Sequence, residues 1–545
     1  MKLNRILTII LAGSVTIATS TGCTKLKDQS GNVIIASQFN PTEADIPSLT
    51  GAAYTYSRQI LLFWDGTWRA QELSGDQELI PARPNGWVDG GVYKRIHQHA
   101  WTPDEGIVVN GWSRTYSGIT TCNRIIYQVE NNLIPIKDSS VKHSTLAEMH
   151  VLRAFYYSIL CDLYGNVPIV TKFDLPAGYL PAQNTRKEVY DFIVQEISDN
   201  ISLLSSDNNA ATYGTFNKWA AHTLLAKMYQ NAEVYTGTAA WDKCITECDA
   251  VINSGAGYVL EPDQKNVFVT ENQNSKEIIF GLAIDSKYTT EWNAFDLHMQ
   301  SLEPENQKTF SLLSAPWGGM SAIPQFISSF DASDSRLKNN WIKGQQYGAD
   351  GSMLLCGLGA YSGKPLNYIN EVPNIDASEE VHGYRLGKFQ IASGTTNILD
   401  NDFPWFRYAD ILMMKAECLL RTGHQDDAAV LVTQVRQRAF KDNPSKATVT
   451  GADLLKGSNY DYGLRSTLNT TEEGGADIKY GRMLDELAWE FDQEGRRRQD
   501  LIRFGVFTTK SWFDHSKSNT NKTLLPIPRT EISKNSNLKQ NPGYE

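Results

Sequence analysis

The chain has 545 residues and a formal net charge of −10, with 41% hydrophobic and 21% charged residues. That length supplies a large core, and that balance is globular, which excludes an intrinsically disordered chain. The negative balance repels phosphate backbones and excludes nucleic acid as an expected partner.

At the N-terminus, Lys2 and Arg5 precede an apolar run over residues 6–18, and Ser20, Thr21 and Gly22 supply small residues before Cys23. This is the order of an export signal, and the run is too short to cross a bilayer as a helix. A cysteine directly after such a series resembles a lipobox, with Ser20 standing where a bulky aliphatic residue is usual. We expect residues 1–22 to be a signal peptide and Cys23 to be lipidated, with several acyl chains giving a stable anchor. Residues 24–32 are polar and aperiodic, and residues 23–40 read as a tether.

Residues 41–64 open a helix, with Thr42 ahead of Glu43 and Asp45 and then Leu49, Ala53, Ile60 and Leu61 in step. Residues 73–104 lose all period and gather Pro81, Pro84, Gly86, Gly90 and Gly91, which predicts a long structured loop of the kind that carries function. Residues 107–133 return to helix, with Trp112, Tyr116, Ile119, Ile125, Ile126 and Val129 on one side. The next helix spans residues 145–163. Thr145 and Glu148 form a capping box there, and Met149, Leu152, Tyr156, Ile159 and Leu163 form a buried stripe. Gly165 permits a left-handed exit and Pro168 forbids continuation.

Further helices follow at residues 186–204, 216–235 and 240–253. Ala220, Ala221 and Ala226 on one helix of the latter pair allow close approach by Trp241, Cys244 and Val251 on the other. Residues 404–421 and 426–440 repeat this hairpin form, with Ala416, Ala428 and Ala429 as the small contacts. Such hairpins look like tetratricopeptide units, though their spacing is irregular. Residues 255–400 are rich in Gly, Ser, Asn and aromatics, with one strand candidate at 277–283. Residues 481–505 read as helix and precede an extended tail. The expected fold is mainly α: a tetratricopeptide-like helix-hairpin scaffold, an α-α superhelix, with a large irregular loop-rich subdomain. One domain is expected over 41–545, with its scaffold at 41–254 and 401–545 and its irregular part at 255–400 plus the loop 73–104.

Several separated motifs carry a resemblance. Glu148, Arg153-Ala154-Phe155-Tyr156-Tyr157, Leu163-Tyr164-Gly165-Asn166 and Pro168 resemble the hallmark helix of the SusD/RagB family, the glycan-binding lipoproteins of Bacteroidetes-type outer membranes. Arg407, Tyr408, Ala409, Asp410, Ala416 and Glu417 resemble its second helix, and Val435-Arg436 with Arg438-Ala439 its following motif. Glu490, Phe491, Glu494, Gly495, Arg497, Asp500, Leu501, Ile502 and Arg503 match a further signature, which departs at Leu487, where an arginine is usual. Pro526-Ile527-Pro528 and Gln540-Asn541-Pro542-Gly543-Tyr544 resemble the family's ending. Arg496, Arg497 and Arg498 sit among Glu490, Asp492, Glu494 and Asp500, so they read as a salt-bridged face, as do Arg153 and Arg407.

The resemblance implies a non-catalytic surface lipoprotein of the cell outer membrane. It captures a polysaccharide or oligosaccharide and delivers it to a SusC-like TonB-dependent transporter. A neutral glycan presents apolar faces that stack on aromatic rings, each contact contributing on the order of 0.5–1.5 kcal/mol by analogy with aromatic pairs. Rings on helices, such as Trp219, Trp241, Trp405 and Trp489, are expected in the core, whereas rings in aperiodic segments are candidates. Trp87, Trp292 and Trp317 are the expected platform by position in the matching segments, with Asp76, Arg83, Asn85 and Asp89 as hydrogen-bonding candidates and Trp64, Trp68 and Trp341 in reserve. Three spread tryptophans suit an extended neutral β-glucan such as a hemicellulose.

Two other readings stay open: a scaffold that binds only proteins, and a glycoside hydrolase using Glu72 and Asp76. The cysteines at 122, 161, 244, 248, 356 and 418 read as small buried hydrophobes. Cys244 and Cys248 share a helix face, but no histidine completes a zinc set, so no metal and no cofactor is expected.

Overall fold

A computed structural model describes residues 41–289, 294–466 and 468–544. The expected signal, Cys23, the tether and Trp292 lie outside the described residues. Among the described residues nine α-helices come first: α1 (Ile46–Leu61), α2 (Thr67–Glu72), α3 (Val92–His97), α4 (Gly106–Glu130), α5 (Ser139–Leu163), α6 (Arg186–Asn200), α7 (Lys218–Gln230), α8 (Ala232–Thr236) and α9 (Trp241–Ile252). Helix α4 packs on α5 and α5 on α6, while α7 pairs with α9 through the small residues Ala220, Ala221 and Ala226, all fully buried. The hairpin of Tyr408–Arg421 and Gln425–Gln437 then stacks on α9 and α7. The superhelix therefore continues across residues 255–400, which leave it as an excursion. The fold is the mainly α, tetratricopeptide-like one expected. Among the described residues, sheet is confined to four two-stranded ribbons.

Three local expectations are corrected. Helix α5 begins at Ser139, because the Asp138 side chain accepts from the amides of Ser140 and Val141 and caps it there. Thr145 is thus inside the helix, and Glu148 accepts from the Tyr54 hydroxyl at 2.8 Å instead of closing a capping box. Burial pushes the Glu148 carboxyl up to about 7. Second, residues 404–407 are strand: Phe403–Arg407 pairs antiparallel with Ile278–Leu282, and helix starts only at Tyr408. Third, residues 481–505 form two helices, Gly481–Phe491 and Arg497–Arg503, broken where Gln493 and Gly495 adopt positive φ.

That break turns the motif carboxylates into the core. Arg407 reaches Glu277 and Glu490 at 2.8 Å and Glu494 at 2.7 Å, with all four side chains fully buried. Arg438 joins the same Glu277 and Glu490, while Lys388 holds Asp492 and Glu494. The cluster locks the ribbon, the C-terminal helices and the excursion to one another. The expected salt-bridged reading of residues 496–498 is right in kind: Arg496 has Glu494 at 3.7 Å, but the shorter partners come from afar. Arg497 pairs with Asp76, Arg498 with Asp162 and Arg496 with Asp410.

The tail closes the other end. The Leu525 amide donates to Leu163 O, and the Asn541 side chain donates to Tyr164 O and Leu525 O. Gly165 takes φ of +73° at this junction, where a Cβ would lie 2.9 Å from Leu524. The hallmark helix thus ends at a left-handed glycine that also makes room for the C-terminus.

Candidate functional site

The stretch 73–104 is less irregular than its sequence suggests. Glu78–Leu79 pairs with Ser321–Ala322, and α3 forms inside it. The ribbon fastens the loop carrying Trp87 to the segment carrying Trp317, although these tryptophans are 230 positions apart in sequence. Their ring centroids lie 5.8 Å apart at an interplanar angle of 51°. Tyr93 also flanks Trp87, at 5.4 Å and 49°. Both indoles are half-buried. Together with Trp64, Asp65, Asp89, Arg95 and Glu105 they line a cleft of about 580 Å³, a size and aromatic character typical of small-molecule sites.

The charged groups in the cleft are engaged. Arg114 clamps Asp65 through both carboxylate oxygens, at 2.6 and 3.2 Å, and Asn110 also donates to it. Arg95 donates to both carboxylate oxygens of Glu105, which raises the guanidinium pKa above its ordinary value, and it also reaches Gly90 O at 2.8 Å. Asp89 accepts from the Tyr93 hydroxyl at 3.0 Å. Burial pushes that phenol far above its usual range. The cleft offers aromatic faces and hydrogen-bonding atoms with no uncommitted cation among its described lining residues.

The structure brings together Trp87, Trp317, Asn85 and Asp89 of the expected residues, and Trp64 of the reserve. Asp76 and Arg83 do not reach the cleft surface. Asp76 is fully buried: Arg497 donates to it at 2.6 and 2.8 Å and the Tyr462 hydroxyl at 2.7 Å, so it braces the fold. Arg83 is spent on carbonyls of Gly319, Glu379 and His382, with Glu303 at 3.6 Å; burial and the neighbouring Arg385 lower its pKa to about 9. Asn85 turns its amide toward backbone rather than solvent: it donates to Trp317 O and Gly318 O and accepts from Trp87 N. In the reserve, Trp68 and Trp341 are core.

Glu72, the proposed partner of Asp76 in a hydrolase pair, is also fully buried and accepts from the Arg496 amide at 2.8 Å. Burial raises it to about 7. An elevated carboxyl here is a core feature. Sequence reasoning missed Tyr93 and Arg95 because α3 was hidden among glycines, and Glu105 because it stands just ahead of α4. It missed the Gly318-Gly319 pair as well, although two glycines after a candidate tryptophan are a visible sign of close approach.

A buried histidine cluster sits at the C-terminal end of α3, whose last residue is His97. His97 bonds Leu73 O and Phe513 O, His99 bonds Ser74 O and Ser518 Oγ, and His515 stacks on Trp512 at 3.8 Å and 16°. His99 and His515 are 4.2 Å apart between centroids, and burial lowers His99 to about 3. A histidine with a depressed folded pKa contributes its stability above the unfolded value near 6.5, and loses it as pH falls below that. His99→Asn suits the residue's positive φ and still removes buried packing. Its destabilisation should therefore be largest near pH 7 and shrink on acidification toward pH 4.5, by up to about 1.4 kcal/mol per pH unit. Urea unfolding at both pH values reads this directly; a pH-independent difference would contradict it.

The fold is a superhelical helix-hairpin scaffold with an aromatic cleft where Trp64, Asp65 and Glu105 meet the Trp87 loop and Trp317. Residues 276–544 match the SusD family model, and residues 68–230 match the model described as starch-binding, associating with outer membrane. The chain belongs to the SusD family. The starch-binding protein SusD of Bacteroides thetaiotaomicron is 26% identical over 526 residues, which is 89% of this chain and 86% of that protein. Two solved structures share the fold. Surface glycan-binding protein A of Bacteroides thetaiotaomicron in complex with laminarihexaose has a TM-score of 0.67 at 19% identity, covering 92% of this chain and 99% of that one. A SusD superfamily protein of Parabacteroides distasonis has a TM-score of 0.70 at 19% identity, with the same coverage.

Proposed function

We propose that this protein is a non-catalytic lipoprotein of the outer-membrane surface that captures a neutral polysaccharide or oligosaccharide in the Trp64, Trp87, Tyr93 and Trp317 cleft. The observation that carries the reading is the Trp87–Trp317 pair, two half-buried indoles inclined across a cleft whose charges are internally satisfied. Inclined rings receive successive sugar faces. The carboxylates at 65, 89 and 105 accept hydroxyl hydrogens and repel uronates or sulfates, and Arg95 is already held by Glu105. Family membership and the starch and laminarihexaose named for its relatives support a glucan; an extended β-glucan stays among the candidates. Trp292 is retained as a third platform residue from its place in the matching segment.

Delivery to a SusC-like TonB-dependent transporter follows from family membership and is part of the proposal. Binding without turnover is supported by the cleft carboxylates, each tied to an arginine or a phenol. A hydrolase needs one carboxyl poised as an acid opposite another, and Glu72 and Asp76 stand in the core. Incubation of the soluble protein with starch and laminarin, followed by reducing-end assay, tests this: release of reducing ends would return the hydrolase reading.

The anchor is proposed at Cys23, on the charged, apolar and small-residue series that precedes it. Cys23→Ala should move the protein from the outer-membrane fraction to the soluble one. Retention in the membrane fraction would remove the lipid anchor from the account.

A further inference from the structure

We propose that Asn85 and Gly319 are positioning residues for the aromatic pair, setting the distance and inclination of Trp87 and Trp317 before any ligand arrives. The consequence for binding rests on the reading of the cleft given above; the geometry itself does not.

Trp87 stands in a loop containing Gly86, Gly90 and Gly91, all at positive φ. A side chain on such a loop, left unsupported, would lose freedom on binding and weaken it. Two devices remove that freedom in advance. The first is the Asn85 carboxamide. Its Nδ2 donates to Trp317 O and, at 2.8 Å, to Gly318 O, while its Oδ1 accepts from Trp87 N at 3.2 Å. A carboxamide can donate at one end and accept at the other, which a carboxylate or an alkyl group cannot do. The backbone it grips is itself fixed: Trp317 N donates to Met299 O at 2.7 Å, Gly318 N to Leu302 O and Met320 N to Gln300 O at 2.8 Å.

The second device is a flat seat. A Cβ built on Gly319 would lie 2.5 Å from Cε3 and from Cζ3 of Trp87, and 3.1 Å from Gln300 O. The indole therefore lies against the bare Cα of Gly319. This glycine is not among those with positive φ, so alanine meets no left-handed backbone there; the indole must move away and Gln300 O must give by a few tenths of an ångström. Gly319→Ala therefore acts mainly by displacing the ring. Gly318 differs, because its φ is +60° and its Cβ would strike Asn85 and Glu303.

The test needs no ligand for its first arm. Two indoles held this close and inclined couple their excited states, giving a couplet in the circular dichroism of the far-ultraviolet tryptophan band. The wild-type minus Trp87→Phe difference spectrum isolates it. Asn85→Ala and Gly319→Ala should each lose most of that couplet with a melting temperature close to the parent's. Asn85→Asp, which keeps the acceptor for Trp87 N but sets a carboxylate oxygen against the carbonyls of Trp317 and Gly318, should lose the couplet as Asn85→Ala does.

In the second arm, binding of laminarin and of soluble starch is measured on the same variants. Asn85→Ala and Gly319→Ala should weaken whichever probe binds the parent by at least tenfold. Absence of a Trp87-dependent couplet in the parent, or its survival in both variants, overturns the proposal. Loss of the couplet with unchanged affinity in both variants keeps the positioning role and removes this pair as the glycan site. A couplet that behaves as expected in a protein that binds neither probe keeps the positioning role and removes the glycan reading instead. If Gly319→Ala fails to fold, Asn85→Ala and Asn85→Asp carry the same comparison.

Discussion

Arg407→Met is expected to destabilise the protein by about 3–5 kcal/mol, the usual result of removing one partner from a buried ionic cluster. The guanidinium donates to Glu277, to Glu490 and its carbonyl, and to both oxygens of Glu494. It is sandwiched by Phe491 at 4.6 Å and Phe268 at 5.6 Å. Methionine fills much of the volume and leaves three fully buried carboxylates short of one positive charge. Burial alone would raise Glu490, yet Arg438, Arg407 and Arg336 hold it well below the usual carboxylate range. Loss of Arg407 removes one of these cations, so part of the cost returns as protonation. Chemical denaturation of the soluble form measures the change, and a loss under about 1 kcal/mol would mean that the cluster is redundant.

Trp87→Ala and Trp317→Ala are expected to behave in the opposite way: a melting temperature near the parent's and binding weakened by about 1–3 kcal/mol, the cost typical of a central aromatic anchor. Both side chains are half-buried at the cleft, so truncation opens no sealed cavity. Affinity of the parent is expected between millimolar and micromolar, on the order of −4 to −8 kcal/mol. Raising the salt concentration should change it little, because stacking uses neutral faces and Asp65, Arg95 and Glu105 are already in ion pairs. Trp292→Ala is expected to follow the same pattern. Asp76→Ala serves as the contrast, since it should lower the melting temperature by stranding Arg497. Calorimetry with the bound oligosaccharide separates these classes. Full affinity in both Trp87→Ala and Trp317→Ala would move the platform elsewhere, toward Trp64.

Much of the scaffold was legible in the chain because helix hairpins leave a strong period. Val189, Ile193 and Ile197 repeat at helical spacing and all are buried. The motif arginines were legible as ion-paired for the same reason that they are costly: charges in runs need partners. Their partners were not legible, because Arg497 finds Asp76 across 421 positions. Asp76 and Arg83 looked like ligand residues because polar groups in an aperiodic loop look exposed. Pairing of the loop with Ser321–Ala322 buries them instead. Trp87 and Trp317 were readable as candidates from their glycine-rich surroundings. Their apposition was not, since it depends on a ribbon only two residues long on each side.

The most direct measurement is a glycan array probed with the soluble chain beginning after Cys23, followed by titration of any hit against Trp87→Ala. The account predicts retention on neutral glucans, exclusion from uronate and sulfated glycans, and loss of the signal in the variant. Binding confined to acidic glycans, or no glycan binding by a folded protein, would contradict it.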